Sequence, residues 1–180
     1  MEIIILRLGH RLPRDERMTT HIALVARAFG AKKAVYSGQH DAGLESSVSR
    51  LVGQWGGDFS ISHEKNFRRF LKEMKSTGFV LVHLTMYGLP LSNRLSDIKK
   101  NEKIVVIVGS EQVPAEIYQL ADHNISVTCQ PHSEVAALAV LLDRLQDGKE
   151  LFQEFSDNFH GKVRIVPCER GKNVQKTDQK

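Results

Sequence analysis

The chain has 180 residues, of which 41% are apolar and 26% are charged, a composition typical of one ordinary globular domain. No apolar run reaches the length of a membrane span, and Glu2 stands where a secretory signal would carry positive charge, so we expect a cytoplasmic protein with no membrane attachment. The net charge of +4 is only mildly basic, and Cys129 and Cys168 do not suggest a disulfide framework.

Short runs rich in β-branched residues alternate along the chain with stretches of helical periodicity. The predicted strands span residues 3–8, 34–37, 59–62, 79–84, 104–108, 125–128 and 163–166. Predicted helices run from Thr19 or Thr20 to Gly30 and over residues 45–55, 65–75, 114–121 and 131–146. This alternation indicates an α/β fold, with a parallel sheet covered by helices on both faces. We expect one domain over residues 1–167 and a basic, flexible tail at 168–180.

The last predicted helix is apolar on all sides between residues 135 and 142. Such a helix must be buried on more than one side. In a chain of this size, the pattern favours a homodimer interface, and its alanines allow close helix packing. A central helix under the loops of a monomer is the alternative.

Polar residues and glycine follow two of the predicted strands, in residues 109–113 and 127–134. Ligands of open parallel sheets bind at the carboxyl ends of the strands, and Gly109 lets a ligand approach the backbone closely. The neutral groups of these loops suit an adenine-like ligand better than a triphosphate. Cys129 and His132 could suggest a thiol nucleophile, but a buried packing role for Cys129 is the preferred interpretation.

Several common sites are excluded by missing motifs. The chain has no GxGxxG after its first strand, no GxxxxGK[ST] and no GxSxG. Its eight histidines show neither HExxH nor paired-cysteine spacing, so we expect no metal site.

Basic residues concentrate at both ends of the chain. Four arginines occur between residues 7 and 21, where no lysine occurs, and arginines on a loop suit bidentate contacts with phosphate. From His160 onward, six basic and two acidic residues account for the whole positive excess. A nucleic-acid partner and a tail that is basic only for solubility explain the second cluster equally well.

Three segments together resemble the SPOUT class of RNA methyltransferases. Residues 21–30 resemble its first motif, with His21 in place of the usual asparagine and Arg27 six residues later. Residues 107–111 resemble the second motif, an apolar strand ending in Gly-Ser/Thr-Glu, and residues 127–142 resemble the third, a loop that leads into an alanine-rich helix.

The sequence is similar in particular to the archaeal tRNA (cytidine-56)-2'-O-methyltransferases. The similarity covers residues 3–167 and rests on RLGHR at 7–11, HLTMYG at 83–88 and QPHSEVAALAVLLDRL at 130–145. It implies a Rossmann-like α/β fold with a C-terminal trefoil knot, a homodimer, S-adenosylmethionine as the cofactor and methylation of a T-loop ribose in tRNA. The cofactor contacts that it implies are Leu84, Gly109, Ser110, Glu111, Gln112, Val113, Val127, Thr128, Cys129, Gln130, Pro131, His132, Ser133 and Glu134.

Arg27 is the catalytic residue that the resemblance implies. Because an arginine stays charged in proteins, it is a poor general base, and we expect it to hold a phosphate or hydroxyl and to stabilise the forming oxyanion. Arg11, Arg14 and Arg17 are the predicted contacts for tRNA phosphates. Two other hypotheses stay open: a non-catalytic dimeric RNA-binding protein with an adenine-ligand pocket, and a small α/β hydrolase that uses Cys129 or Ser133.

Overall fold

A computed structural model describes residues 1–109 and 112–177 of the chain. Its main sheet has six parallel strands in the order β3-β2-β1-β5-β4-β6. These strands are β1 Glu2–His10, β2 Lys33–Gly38, β3 Ser60–His63, β4 Val80–Pro90, β5 Lys103–Val108 and β6 His123–Ser126. The helices are α1 Glu16–Ala28, α2 Ala42–Trp55, α3 Phe67–Ser76, α4 Leu91–Lys99, α5 Ala115–Leu120, α6 Glu134–Gln146 and α7 Gln153–Asp157. The predicted α/β class with its parallel sheet is confirmed.

The core consists of two apolar layers, one on each face of the sheet. Helices α1, α2, α4 and α6 pack on one face, and α3 and α5 pack on the other. Strand β5 supplies both layers, since the side chains from Ile104 to Val108 are at most 1% exposed. The absence of polar alternation in this strand is the mark of burial on both faces.

Strand order reverses between β1 and β5, which is where open α/β sheets form a ligand crevice. Arg7 of β1 and Leu84 of β4 both lie beside Val108, and Leu84 also lies beside Ile125 of β6. The ends of β1, β5, β4 and β6 therefore meet at one edge, called here the carboxyl edge. The opposite edge, where these strands begin, is the amino edge.

Several elements differ from the sequence prediction, among them α7, which was not predicted, and β4, which runs to Pro90 instead of residue 84. Helix α4 was not predicted, because it buries only Leu91 and Ile98 and has few apolar residues to mark a helical period. Strand β6 begins and ends two residues before the predicted strand at 125–128. Within the predicted flexible tail, β8 Val174–Lys176 pairs antiparallel with β7 Val163–Ile165. In the described ranges, no helix combines the length and the apolar character that crossing a membrane would require.

Candidate cofactor site and arginine surfaces

The end of β5 forms the narrowest part of the carboxyl edge. Gly109 is buried there, and a Cβ atom added to it would lie 2.5 Å from Cγ2 of Val113. Leu84 is 8% exposed and lies between the ends of β5 and β6. Glycine at 109 thus lets the side chain of Val113 pack directly against the backbone at the end of β5, and Val113 and Leu84 offer apolar surface at this edge.

The segment 127–133 follows β6 and has no regular secondary structure. Val127 packs against the core, whereas residues 128–133 are exposed. Thr128 accepts a hydrogen bond from the backbone N–H of Gln130 at 3.0 Å, which shapes a tight turn. Cys129 is exposed, so the preferred prediction of a buried packing cysteine is wrong. The polar groups of this segment are available to a ligand at the carboxyl edge.

Five of the predicted cofactor residues, 109–113, lie in the connection between β5 and α5, and the structure describes three of them. Ser110 and Glu111 lie outside the described residues. Gln112 is exposed, and Val113 packs against the core layer that contains Ile117 of α5. Leu84, Gly109, Val113 and the 127–134 segment are therefore brought to one edge of the sheet, as the sequence predicted.

Helix α6 begins at the end of this site, where Arg7 and Glu134 form a partly buried ion pair that the sequence alone did not predict. Ser133 is the N-cap, and Glu134 is the first helical residue. Nη2 of Arg7 lies 3.4 Å from Oε2 of Glu134, and Nη1 of Arg7 donates hydrogen bonds to the carbonyls of Leu8 and Gly109. Arg7 is the only charged residue in the otherwise apolar strand run from Ile3 to Leu8. This isolated charge was the feature of the sequence that could have indicated a buried ion pair.

Burial dominates the electrostatics of this pair. Desolvation lowers the pKa of Arg7 and raises the pKa of Glu134, and the attraction between the two charges opposes both shifts. The pair places a full positive charge and a partly exposed carboxylate within the wall of the cofactor site.

Arg27 lies at the amino edge of the sheet, away from these loops of the same chain. Helix α1 begins shortly after β1, at the carboxyl edge, and runs back along the sheet. The residues after it reach the beginning of β1, where the backbone N–H of Lys32 donates a hydrogen bond to the carbonyl of Ile3. Nε and Nη2 of Arg27 donate to the carbonyl of Gly56 at 3.0 and 2.7 Å, and Nη2 also donates to Trp55 at 2.8 Å. The structure therefore does not bring Arg27 together with the predicted cofactor residues within one chain.

The Arg27 guanidinium opens onto a cleft of about 1190 Å³. It lies 4.9 Å from the centre of the Phe159 ring, in a cation–π contact. Burial lowers the pKa of Arg27, but an arginine starts so far above neutrality that the side chain stays charged. The cleft is also lined by Trp55, Phe152, His160, Arg164 and Ile165, so cationic and aromatic groups face the same space.

The predicted RNA-binding arginines follow β1 at the carboxyl edge. Arg14 and Arg17 are exposed, and Nε of Arg11 donates to Oδ2 of Asp15 at 2.9 Å. The loop between β1 and α1 is held by a contact across it, because Nδ1 of the buried His10 lies 2.9 Å from Oγ1 of Thr19. These arginines therefore border the same edge as the cofactor loops.

Comparisons with known proteins agree with this arrangement. Residues 55–175 match the model of the family described as tRNA ribose 2'-O-methyltransferase, aTrm56. The chain belongs to this family. Its similarity to the archaeal methyltransferases, inferred from the motifs, is thereby confirmed, and the chain is a tRNA ribose 2'-O-methyltransferase.

Curated relatives cover almost the whole chain. A tRNA (cytidine(56)-2'-O)-methyltransferase of Methanocaldococcus jannaschii is 48% identical over 182 aligned residues, which cover 99% of both proteins. Proteins of the same name from Methanopyrus kandleri and Pyrococcus horikoshii are 48% and 51% identical over 96% of this chain, and over 96% and 84% of their own lengths.

Solved structures show the same fold at low sequence identity. The TrmH/SpoU tRNA modifying enzyme of A. aeolicus matches with a TM-score of 0.59 and 16% identity, over 87% of this chain and 84% of its own. AviRb of Streptomyces viridochromogenes, solved in complex with AdoMet, matches with a TM-score of 0.56 and 15% identity, over 81% of this chain and 57% of its own. These matches establish the fold of the SpoU methyltransferases.

Proposed function

We propose that this enzyme transfers the methyl group of S-adenosylmethionine to the ribose 2'-hydroxyl of cytidine 56 in tRNA. The observation that carries the proposal is the match to the tRNA ribose 2'-O-methyltransferase family over residues 55–175, together with relatives of that named activity along nearly the full chain. We also propose that the enzyme acts in the cytoplasm, because its proposed substrate is tRNA.

The carboxyl edge fits the cofactor in shape and in chemistry. Gly109 lets Val113 pack against the end of β5, and Val113 and Leu84 are proposed as two apolar walls for the adenine. Backbone groups of residues 127–133, together with Gln130 and Ser133, can read the edge of the base and hold the ribose. S-adenosylmethionine supplies an activated methyl group on a sulfonium, so the protein needs to contribute alignment more than chemical activation.

Arg27 is proposed to act on the attacking ribose. Its Nη1 makes no hydrogen bond within residues 1–109 and 112–177, whereas Nε and Nη2 are fixed by the carbonyls of Trp55 and Gly56. A guanidinium held in this way can bind the phosphate next to the target ribose and stabilise the oxygen as its proton leaves.

The position of Arg27 leads to a site shared between two copies of the chain. Because Arg27 and the cofactor loops lie at opposite edges of the sheet, Arg27 can reach the methyl donor only from a partner subunit. The homodimer predicted from the apolar helix meets this requirement, since a two-fold axis would repeat the shared site twice.

Helix α6 offers a surface for such a dimer. Its inner face is buried at residues such as Leu138, Leu141 and Leu142, but Ala136 and Val140 are exposed, and Val140 is 39% exposed. These two residues are four positions apart and so form one small apolar stripe on the outer face.

Val140→Glu is expected to convert the dimer into monomers, because it would bury a carboxylate without a partner at the interface. Sedimentation velocity measures the change, and Gln119→Glu on α5, at the other face of the sheet, is the charge-matched control. A variant that still sediments as a dimer would exclude this stripe from the interface.

A C-terminal trefoil knot is part of the proposal. Leu84 and Leu89 of β4 are both paired with Ile125 of β6, so the pairing of these strands is interrupted by a register shift between the two leucines. A Cβ atom on Gly88 would lie 2.5 Å from the backbone of Asn124 and Ile125, so this crossing is tight. We take this close, irregular pairing as support for a chain threaded through its own loop, a rare arrangement in proteins that the family membership leads us to propose.

Neutralising Arg11, Arg14 and Arg17 by replacement with Gln is expected to weaken tRNA binding and to lower its salt dependence. Three lost phosphate contacts reduce the slope of log K against log[salt] by roughly two to three units. Filter binding over a salt series measures the slope. The control replaces Lys65, Arg69 and Lys72, at or near α3, with Gln, and an equal loss of slope in both variants would contradict a specific role for the loop.

Incubation with radiolabelled S-adenosylmethionine and an unmodified tRNA transcript tests the proposed function against its alternatives. Label on the RNA supports the proposed activity. Binding of both ligands without transfer would indicate the non-catalytic RNA-binding protein. No binding of S-adenosylmethionine would overturn the cofactor assignment and leave the hydrolase hypothesis to be tested at Cys129 and Ser133.

A further inference from the structure

The buried guanidinium of Arg7 connects three parts of the cofactor site. Arg7 is 3% exposed and comes from the end of β1. It donates a hydrogen bond to the carbonyl of Gly109, the glycine of the β5 loop. It also faces the carboxylate of Glu134, which closes the second loop and opens α6. One side chain therefore spans both loops that are proposed to hold S-adenosylmethionine.

Stability alone does not account for a charge in this place. A buried ion pair is often no more stabilising than apolar residues of the same size, because both charges lose their hydration. Nε of Arg7 and Oε2 of Glu134 have no hydrogen-bond partner within the described residues, which adds to that cost. Ile3 and Ile5, which share a face of β1 with Arg7, are buried in the core, so apolar side chains are well accommodated on this face of the strand.

The pair is instead suited to fix the distance between the two loops. Gly109 lies just beyond the end of β5 and Glu134 is the first residue of α6, so neither residue belongs to a strand and the backbone hydrogen bonds of the sheet do not set their spacing. The guanidinium is planar and rigid, and it can hold a carbonyl and a carboxylate in one plane at the same time.

We propose that Arg7 is a positioning residue that clamps the loop at Gly109 to the start of α6 through Glu134, and thereby sets the width of the S-adenosylmethionine pocket. This inference rests on the proposed function of the two loops. Arg7 itself touches neither the methyl group nor the RNA in this account, so its effect must appear in the binding of the cofactor.

Arg7→Met, which keeps the length and removes the charge, is expected to raise the Kd for S-adenosylmethionine roughly ten- to a hundredfold, the range for loss of a charged hydrogen bond. The KM for S-adenosylmethionine should rise with it, while the KM for tRNA stays within twofold of the wild-type value. Arg50→Met, at an exposed position of α2, is the control and should change neither value. Titration calorimetry and initial rates measure these quantities.

A double-mutant cycle separates a clamp from a merely structural role. If Arg7 acts through Glu134, the loss of cofactor affinity in Arg7→Met/Glu134→Gln is smaller than the product of the two single losses. If Arg7→Met does not fold, the Kd for S-adenosylmethionine is measured with Arg7→Lys instead. A lysine cannot hold Gly109 and Glu134 in one plane, so the Kd should still rise several-fold.

The outcomes distinguish this inference from the proposed function. A wild-type protein that does not bind S-adenosylmethionine would overturn the proposed function. A wild-type protein that binds, with Arg7→Met or Arg7→Lys within twofold of it, would overturn the clamp alone. Losses that multiply in the double variant would also overturn it.

Discussion

Arg27→Ala is expected to abolish methylation while S-adenosylmethionine binds with an unchanged Kd. The guanidinium is proposed to stabilise the forming ribose oxyanion, and loss of one such donor typically lowers kcat by roughly 10²–10³-fold. The cofactor loops lie at the opposite edge of the sheet, so their affinity for the methyl donor should not depend on this side chain. Single-turnover rates and titration calorimetry measure the two effects separately.

Arg27 also holds the end of α2 through Trp55 and Gly56, so the control must account for stability. Arg50→Ala removes an exposed arginine from the same helix and is expected to retain full activity. The Tm of Arg27→Ala should be compared with that of the wild type at the assay temperature. A folded Arg27→Ala enzyme with wild-type kcat would remove Arg27 from the mechanism.

Mixed dimers test whether Arg27 acts across the subunit boundary. Co-expression of Arg27→Ala with Gly109→Val, a variant designed to lose the cofactor, yields some dimers in which one shared site is intact. With random pairing in a two-fold dimer, half of the dimers are mixed and each keeps one of two sites, so about a quarter of wild-type activity should return. Activity no higher than the sum of the two separate variants would place both residues in the same subunit's site.

Gly109→Ala is expected to lower the affinity for S-adenosylmethionine by about tenfold or more. The added Cβ atom would lie 2.5 Å from Cγ2 of Val113, and overpacking of this kind costs about 1–3 kcal/mol. Val113 is β-branched and packs against the α5 layer, so it cannot turn aside freely. Titration calorimetry with S-adenosylmethionine measures the loss.

A second substitution should reverse the effect if crowding is the cause. Gly109→Ala/Val113→Ala removes the Cγ atoms that the new methyl group meets, so we expect it to recover part of the lost affinity, while the rest stays lost with Val113 as an apolar wall. Gly53→Ala is the control, because a Cβ atom at Gly53 meets no heavy atom within 4 Å. Failure of the double variant to bind more tightly than Gly109→Ala would show that Gly109 matters for another reason.

The parts of the fold marked by strong patterns were predictable from the sequence. The apolar run of β5 and the alanine-rich α6 show their burial directly, because nearly every side chain in them is apolar. Helix α4 is different, since only Leu91 and Ile98 are fully buried and its other residues are half-buried or exposed. Its position is fixed by packing against neighbours that are distant in sequence, which local periodicity does not reveal.

The candidate site was predictable at the level of its loops but not of their connections. Gly109 and the 127–134 segment were found because they follow apolar strands, and parallel strands bring their ends together. The Arg7–Glu134 pair joins residues 127 positions apart, and no local pattern links them. Arg27 was found by motif, but its place at the amino edge depends on the direction of α1 relative to the sheet.

The measurement that tests the central claim most directly is the position of the methyl group on tRNA. An unmodified transcript is incubated with the enzyme and S-adenosylmethionine, digested with nuclease and analysed by mass spectrometry. We expect one added methyl group, on the 2'-oxygen of cytidine 56, and none on a transcript in which that ribose is 2'-deoxy. A methyl group on a base, on another nucleotide, or on the 2'-deoxy transcript would contradict the account.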